Sequence, residues 1–551
     1  MVCNRIFSLV LFFGLFTPVL FGQVGQDRYL VYFSDKENTP FSLDAPEVYL
    51  SQRAIDRRNN QNILVDLRDL PVDPAYIQQV RDLGDVLIVY QLKWFNAILI
   101  ETTDQNVLDG LDGLGIVEAV EVSPVLTGDD PVEYDSSHPA QSKSNADYGA
   151  ALNQIEMLNG LQLHEDGFRG AGKWIGVFDG GFGNSMSASV LDPLFASDRV
   201  LGMVDFVHGG DFVFGYSTHG SAVLSTMAAD QPQLMIGTAP DASYLLCITE
   251  DVSIERRIEE ANWVAAAAYA DSMGIDIINT SLGYTLFDSI ADNYSYADMD
   301  GNTTLITRGS DVAASRGILI VTSAGNQGNS PWYYISAPAD GDSVLAVGAV
   351  NAFGNVVSFS SRGPSFDGRV KPNVMAQGAA TAITNLGDSI TFSNGTSFSG
   401  PVLCGMAASL WQAFPTATAW EVHQAIEQSA HVFSNPNDSL GYGIPDFEIA
   451  RDILATSVST TNQYARMNLT IYPNPASDEV RMLLPQTFSG PATLSLVDVA
   501  GRVVYQQNIQ IGVADENLIL TRALQRSEPG LYVVQIQSAQ GEMLTGKVLW
   551  L

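Results

Sequence analysis

Disulfides are the first thing this chain lacks. Only 3 of its 551 residues are cysteine. Cys3 lies ahead of the N-terminal apolar run, and Cys247 and Cys404 sit inside apolar stretches. Two buried free thiols are therefore expected, not a disulfide framework. Basic charge is scarce as well: 27 Lys and Arg stand against 61 Asp and Glu, a formal net charge of −34. So acidic a chain is repelled by nucleic acid and by anionic membrane surfaces, which removes both as expected partners. None of the six histidines precedes His138, so nothing earlier carries imidazole chemistry. There is no phosphate loop, no paired-cysteine metal motif and no strong internal repeat. Beyond residue 22 no run of about 20 apolar residues occurs, so no transmembrane segment is expected.

What is present divides into blocks. Residues 1–22 read as a secretory signal, with Arg5 as the positive region, Ile6 to Phe21 as the apolar run and Gly22 at the cleavage point. The chain as a whole is 46% hydrophobic and 16% charged, which is ordinary globular sequence, too long for one core. Residues 23–135 read as a small α+β unit. Its expected strands are Arg28–Phe33, Asp85–Tyr90, Asn96–Ile100 and Val117–Val122, with helices over Ala45–Arg58 and Pro74–Leu83. Thr127 to Asn145 is polar and rich in Ser, Asp and Pro, an exposed linker open to proteolysis.

Residues 136–455 alternate apolar strands with helices. Strands are expected at Trp174–Phe178, Tyr244–Ile248, Ile275–Asn279, Ile318–Thr322 and Val344–Val350. Helices are expected at Ser221–Ala229, Ile254–Met273 and Thr307–Arg316, the second carrying the small run Ala265–Ala268 for close packing. Strands apolar throughout and separated by helices predict a parallel sheet covered on both faces, with sites at its carboxyl edge. Thr456 to Asn468 reads as a linker, and residues 469–551 as a C-terminal β-sandwich.

The chemistry gathers in three places. In Gly395-Thr396-Ser397-Phe398-Ser399-Gly400-Pro401, Ser397 precedes the apolar run Val402–Phe414, which reads as a buried helix with Pro401 in its first turn. Free N–H groups at a helix start favour the oxyanion that a serine nucleophile generates, although serine is also an ordinary cap. His219, in Ser217-Thr218-His219-Gly220-Ser221, opens a helix of small residues and is the candidate base. Asp179, ending an apolar strand, is the candidate orienting acid.

Val177–Gly181, Thr218–Val223 and Gly395–Pro401 resemble the three active-site motifs of the subtilisin family of serine endopeptidases, in that family's order of Asp, His and Ser. Ile278–Gly283 and Ser323–Asn326 resemble two more of its motifs, and the likeness spans about residues 148–455. It implies a three-layer α/β catalytic domain. It gives Asp179, His219 and Ser397 as the triad and Asn326 as the oxyanion-hole amide. Ser281, Leu282 and Gly283 become the strand that pairs with substrate, and Ser323, Ala324 and Gly325 a wall of the primary pocket. Trp332, Tyr333 and Tyr334 depart from the small residues usual near that pocket's floor, and either narrow it or pack.

The flanks resemble known parts too. Residues 23–135 look like the family's propeptide, a folding aid and intramolecular inhibitor. Tyr472–Pro475, Asp498–Arg502 and Gly530–Tyr532 resemble the sorting domain of the type IX secretion system. The expectation is a secreted or surface peptidase of a Gram-negative bacterium, made as a zymogen. It would act on polypeptides, with its own propeptide and the secretion machinery as partners. No cofactor is required; structural calcium is allowed but not evident, because Asp298-Met299-Asp300-Gly301 lacks the remaining ligand spacing and reads as a solvated turn. The competing reading is an inactive scaffold used for surface binding or adhesion.

Overall fold

The computed structural model describes residues 28–123, 147–385 and 387–463, and chiefly the strands within 467–550. The signal segment, the linker Thr127–Asn145, Pro473, Pro475 and residues 499–502 lie outside the described residues.

The largest sheet has seven strands, all parallel, in the spatial order 374–377, 344–350, 319–323, 277–280, 174–179, 243–248 and 200–205. Its strands bury both faces, so successive residues serve different cores. Ile175, Val177, Ile277 and Val321 face the layer holding the helices His219–Ala228 and Thr396–Ala413. Phe178, Ile278 and Ile320 face the layer holding Ile258–Met273 and Leu305–Ser315. This is the expected three-layer α/β arrangement. Cys247 and Cys404 are buried and free, as their surroundings predict.

The N-terminal unit is an antiparallel sheet in the order 87–92, 97–101, 28–33 and 117–123, with helices Gln52–Asn60, Pro74–Arg81 and Gln105–Leu111. Tyr29, Val31 and Phe33 pack on its own helices, with Tyr76, Ile77, Val80 and Val107. The opposite face, Leu30, Leu92, Trp94, Ala97 and Leu99, joins Ala261, Val264 and Ala268 of the helix Ile258–Met273 in one core. The run of alanines is thus where this sheet lies close on the helix.

Four expectations need correction. Ala45–Arg58 is not one helix: a short turn at Pro46–Val48 stops, and Ser51 caps a second helix at Gln52 by accepting the Ala54 N–H. Ser51 leaves helical geometry because its N–H and hydroxyl bond the Ser272 and Met273 carbonyls. The helix expected from Ile254 starts at Ile258, since the Glu255 backbone pairs with Asp288 instead. The helix expected from Val402 begins at Thr396, leaving Pro401 inside it. Thr456–Gln463, expected as linker, extends the helix Phe447–Gln463, which is seeded by buried Phe447, Ala450 and Leu454. At the C-terminus a five-stranded and a three-stranded sheet share one core, with Val480, Met482 and Leu520 opposite Leu494, Leu496, Val534 and Ile536: the expected sandwich.

The N-terminal unit is also held by buried charge. Asp271, fully buried near the end of the helix Ile258–Met273, pairs with Arg57 at 2.5 Å, Arg58 at 2.9 Å and Lys93 at 3.0 Å. Arg58 continues to Asp69, which with Asp66 receives Arg316. Burial alone would raise the Asp271 pKa, but Lys93, Arg58 and Arg57 hold its carboxyl well below the ordinary range. A depressed carboxylate stabilises above its unfolded value of about 3.9, and the effect is lost only as pH falls through the lower folded value. The docked unit should therefore withstand mild acid. Asp271→Asn, which leaves the three cations without their shared anion, should destabilise the full chain by about 3–5 kcal/mol in urea denaturation at pH 7.

Candidate active site

Asp179 closes a strand buried along its length and has no exposed surface itself. Such a carboxylate needs partners. Its Oδ1 accepts the Gly180 N–H at 2.8 Å, and His219 Nδ1 lies 3.0 Å from Oδ1 and 2.9 Å from Oδ2. A carboxylate only accepts, so Nδ1 carries the proton and Nε2 is left as the basic nitrogen. The His219 helix can start this close to the strand because Gly220 has no side chain; a Cβ there would press on the Gly181 carbonyl and on Asp179 Cβ. Burial disfavours the imidazolium, but the Asp179 carboxylate and its hydrogen bond, with Glu250 beyond, raise the His219 pKa above its ordinary value.

Ser397 occupies the first turn of the helix Thr396–Ala413 and is largely buried. The next side chain, Phe398, stands against the imidazole, with ring centroids 5.8 Å apart. The Ser397 hydroxyl donates to the Ser281 carbonyl at 3.2 Å and makes no hydrogen bond to His219. Asp179 and His219 are thus in direct contact, while the Ser397 hydroxyl is held on the Ser281 carbonyl.

Pro401 explains how this turn is held. Lacking an N–H, it cannot bond the carbonyl of Ser397 four residues earlier. Ser281 Oγ donates to that carbonyl instead, at 2.9 Å. One residue back, Ser323 Oγ donates to the Thr396 carbonyl at 2.9 Å. Asn326 Oδ1 accepts the Thr396 N–H at 2.8 Å and hydroxyl at 3.0 Å, leaving Nδ2 without a hydrogen bond to any described residue. Asn326 is exposed to solvent.

The candidate substrate strand and pocket wall lie side by side. Gly283 and Gly325 both face Ser336, whose hydroxyl would collide with a Cβ on Gly283 and crowd one on Gly325, where φ is +107°. Leu282 and Ala324 are buried. The aromatic trio packs rather than fills: Tyr334 stacks on Tyr296 with centroids 3.7 Å apart, and Trp332 Nε1 donates to the Ile335 carbonyl. Asp300 is used locally, accepting the Asn302 and Thr303 N–H groups. No group of three or more His, Cys, Asp or Glu among the described residues is arranged to hold a metal ion.

Sequence reading missed Thr396, which aims Asn326, and Ser336, which sits between the glycines. It also missed Glu250, whose carboxyl acts on both Asp179 and His219. The signal for Glu250 was there: an acidic residue just past a strand end, beside Asp251.

The subtilase family model matches residues 170–443. Subtilisin DY of Bacillus licheniformis is 30% identical over 291 residues, covering 52% of this chain and 93% of that protein. The chain belongs to the subtilase family. It is accordingly a serine endopeptidase. Subtilisin E of Bacillus subtilis (strain 168) is 30% identical over 286 residues, covering 51% of this chain and 66% of that protein. A model of the peptidase S8 propeptide domain of Bacteroidota matches residues 28–139, so this subtilase carries its propeptide docked on the helix Ile258–Met273. A secretion system C-terminal sorting domain matches residues 470–549, which marks the subtilase as type IX cargo, secreted or held at the cell surface. No helix among the described residues is long and apolar enough to cross a membrane.

The tethers around Pro401 can be tested. Ser281→Ala strands the Ser397 carbonyl and the Asn279 side-chain amide, which also donates to Ser281 Oγ. It should lower stability by about 1–3 kcal/mol, read as a fall in the thermal unfolding midpoint.

Proposed function

We propose that this subtilase is made as a zymogen and hydrolyses peptide bonds of exported polypeptides through an acyl-enzyme formed on Ser397. The observation that carries this reading is the bidentate contact of Asp179 with His219 beside the helix turn that bears Ser397. Ser397 Oγ attacks the scissile carbonyl as its proton passes to His219 Nε2, and His219 returns that proton to the leaving amine. Water, deprotonated by the same imidazole, then releases the acid product. Asp179 fixes the tautomer and stabilises the imidazolium. The developing oxyanion is received by Asn326 Nδ2 and the Ser397 N–H, a kind of donor that contributes about 100- to 1,000-fold in turnover.

Substrate backbone pairs along Ser281, Leu282 and Gly283. Its primary side chain enters beside Ser323, Ala324 and Gly325, where apolar or aromatic groups are preferred. No cofactor takes part. The propeptide inhibits until it is removed within the segment that follows it, and the sorting domain directs passage across the outer membrane.

Ser397→Ala should abolish both casein hydrolysis and self-removal of the propeptide; undiminished hydrolysis by the purified variant would refute the assignment. The pH profile carries its own sign. The base must be neutral, and its pKa is raised by Asp179 over the opposition of burial. The acid limb of kcat/KM should therefore have its midpoint above the ordinary histidine value of about 6.5, with activity rising toward alkaline pH. A midpoint below that value would contradict the base's surroundings.

A further inference from the structure

The propeptide helix Gln52–Asn60 docks at the edge of the parallel sheet opposite the triad. Its arginines, at i, i+4 and i+5, reach the loops that lead into three neighbouring strands. Arg53 donates to the Gly274 carbonyl at 3.0 Å and the Gly172 carbonyl at 2.9 Å, pairs with Asp276, and lies over the Trp174 ring, 4.2 Å from its centroid. Arg57 donates to the Arg316 carbonyl at 3.2 Å, to the Ile275 carbonyl and to the Asp271 carboxylate. Arg58 shares that carboxylate at 2.9 Å. Gly172, Ile275 and Arg316 precede the strands 174–179, 277–280 and 319–323, whereas Asp179 ends the first of them. Six residues of strand separate the two edges by about 20 Å.

The acceptors belong to the peptidase domain and are fixed without the helix. Asp276 Oδ2 accepts the Trp174 N–H at 2.9 Å. The Asp276 N–H donates to the Trp174 carbonyl at 3.0 Å, and its carbonyl accepts the Leu319 N–H at 2.9 Å. Asp271 and the carbonyls after it close the helix Ile258–Met273, where the last carbonyls have no helical partner and the dipole favours cations. Among the described residues, every ion-pair partner of Asp271 comes from the N-terminal unit. Removing that unit bares a preformed set of carboxylate and carbonyl acceptors, which matches the planar, five-donor guanidinium better than it matches an ammonium. Arg316 leaves one positive charge beside them, where Asp66 and Asp69 now stand.

The propeptide helix does not fill this surface. A cavity of about 620 Å³ is left between Gln52, Asp56 and Asn60 on one side and Lys173, Trp411 and Gln412 on the other. Lys173 lies over the Trp411 ring, 4.3 Å from its centroid. A helix with the same arginines and larger side chains on that flank would bury more apolar surface than the propeptide does. The surface therefore suits an occupant other than the one it holds in the zymogen.

We propose that the mature peptidase uses the bared surface around Asp271, Asp276 and Trp174 as an exosite for a helical segment of its polypeptide substrates that carries arginines at i, i+4 and i+5. The inference rests on the peptidase reading above and on removal of the propeptide. So acidic a chain also draws basic segments from solution.

Mature enzyme processed from the full chain should be assayed on a short fluorogenic peptide joined to an Ala-rich helix bearing three arginines at that spacing. A Gly/Ser linker of about 20 residues, with an r.m.s. reach of about 25 Å, lets both ends engage. Against the same helix with glutamines, KM should fall about tenfold or more with kcat unchanged, because binding away from the scissile bond stabilises ground and transition states alike. Lysines should recover only part of the fall. Asp276→Asn should erase the difference while leaving the rate on the untailed peptide unchanged. Equal KM for the arginine and glutamine helices in the wild type would overturn the exosite without any variant having to fold. So would equal KM for a helix with its arginines shuffled, which is the signature of unspecific attraction, or an advantage that survives in Asp276→Asn. Native mass spectrometry that finds the propeptide still bound to active enzyme would overturn the vacated surface. Enzyme that fails to cleave even the untailed peptide would overturn the peptidase reading instead.

Discussion

A carboxylate with no exposed surface, at the end of a strand buried on both faces, is the constraint on which this site is built. Asp179 has to be bonded where it stands, and the Gly180 N–H and the His219 imidazole bond it. That requirement fixes the ring and its tautomer. It also brings the helix His219–Ala228 against the strand end, which Gly220 permits. The same strand end holds the loop that carries Glu250, through the Thr249 N–H. Negative charge thus accumulates around one imidazole, and the raised His219 pKa is the consequence.

The serine side of the site is organised by an absence. Pro401 withholds one helical hydrogen bond, and the freed Ser397 carbonyl is taken by Ser281. Ser323 donates to the Thr396 carbonyl, and Asn326 accepts the Thr396 N–H. The segments read as substrate strand, pocket wall and oxyanion donor are therefore the ones that fasten the turn bearing Ser397. Positioning of this kind fixes a reactive group through its supporting shell, so a change in the pocket is felt at the nucleophile.

Much of this was legible in the residues. Fully apolar runs such as Val344–Val350 announce buried parallel strands, and Asp179 and Asn326 stand where those runs stop. What escaped was set by partners distant in the chain. Periodicity could not show that Ser51 would leave a helix to bond Ser272 and Met273, nor that Glu255 would pair with Asp288. It placed Pro401 at a helix start because proline is best tolerated there; a serine 120 positions upstream, unseen by any local rule, made the interior position acceptable. Arg28–Phe33 was read correctly as a strand, but only the fold reveals why it is apolar on both faces: one faces its own helices and the other the peptidase domain.

The central claim is that one serine among many is made nucleophilic by one imidazole. Exposing mature protein to a fluorophosphonate and locating the adduct by peptide mass spectrometry measures this most directly. The account predicts stoichiometric modification of Ser397 alone, lost in His219→Ala with the fold retained. Modification of a different serine, or equal labelling of Ser397 without the imidazole, would contradict it.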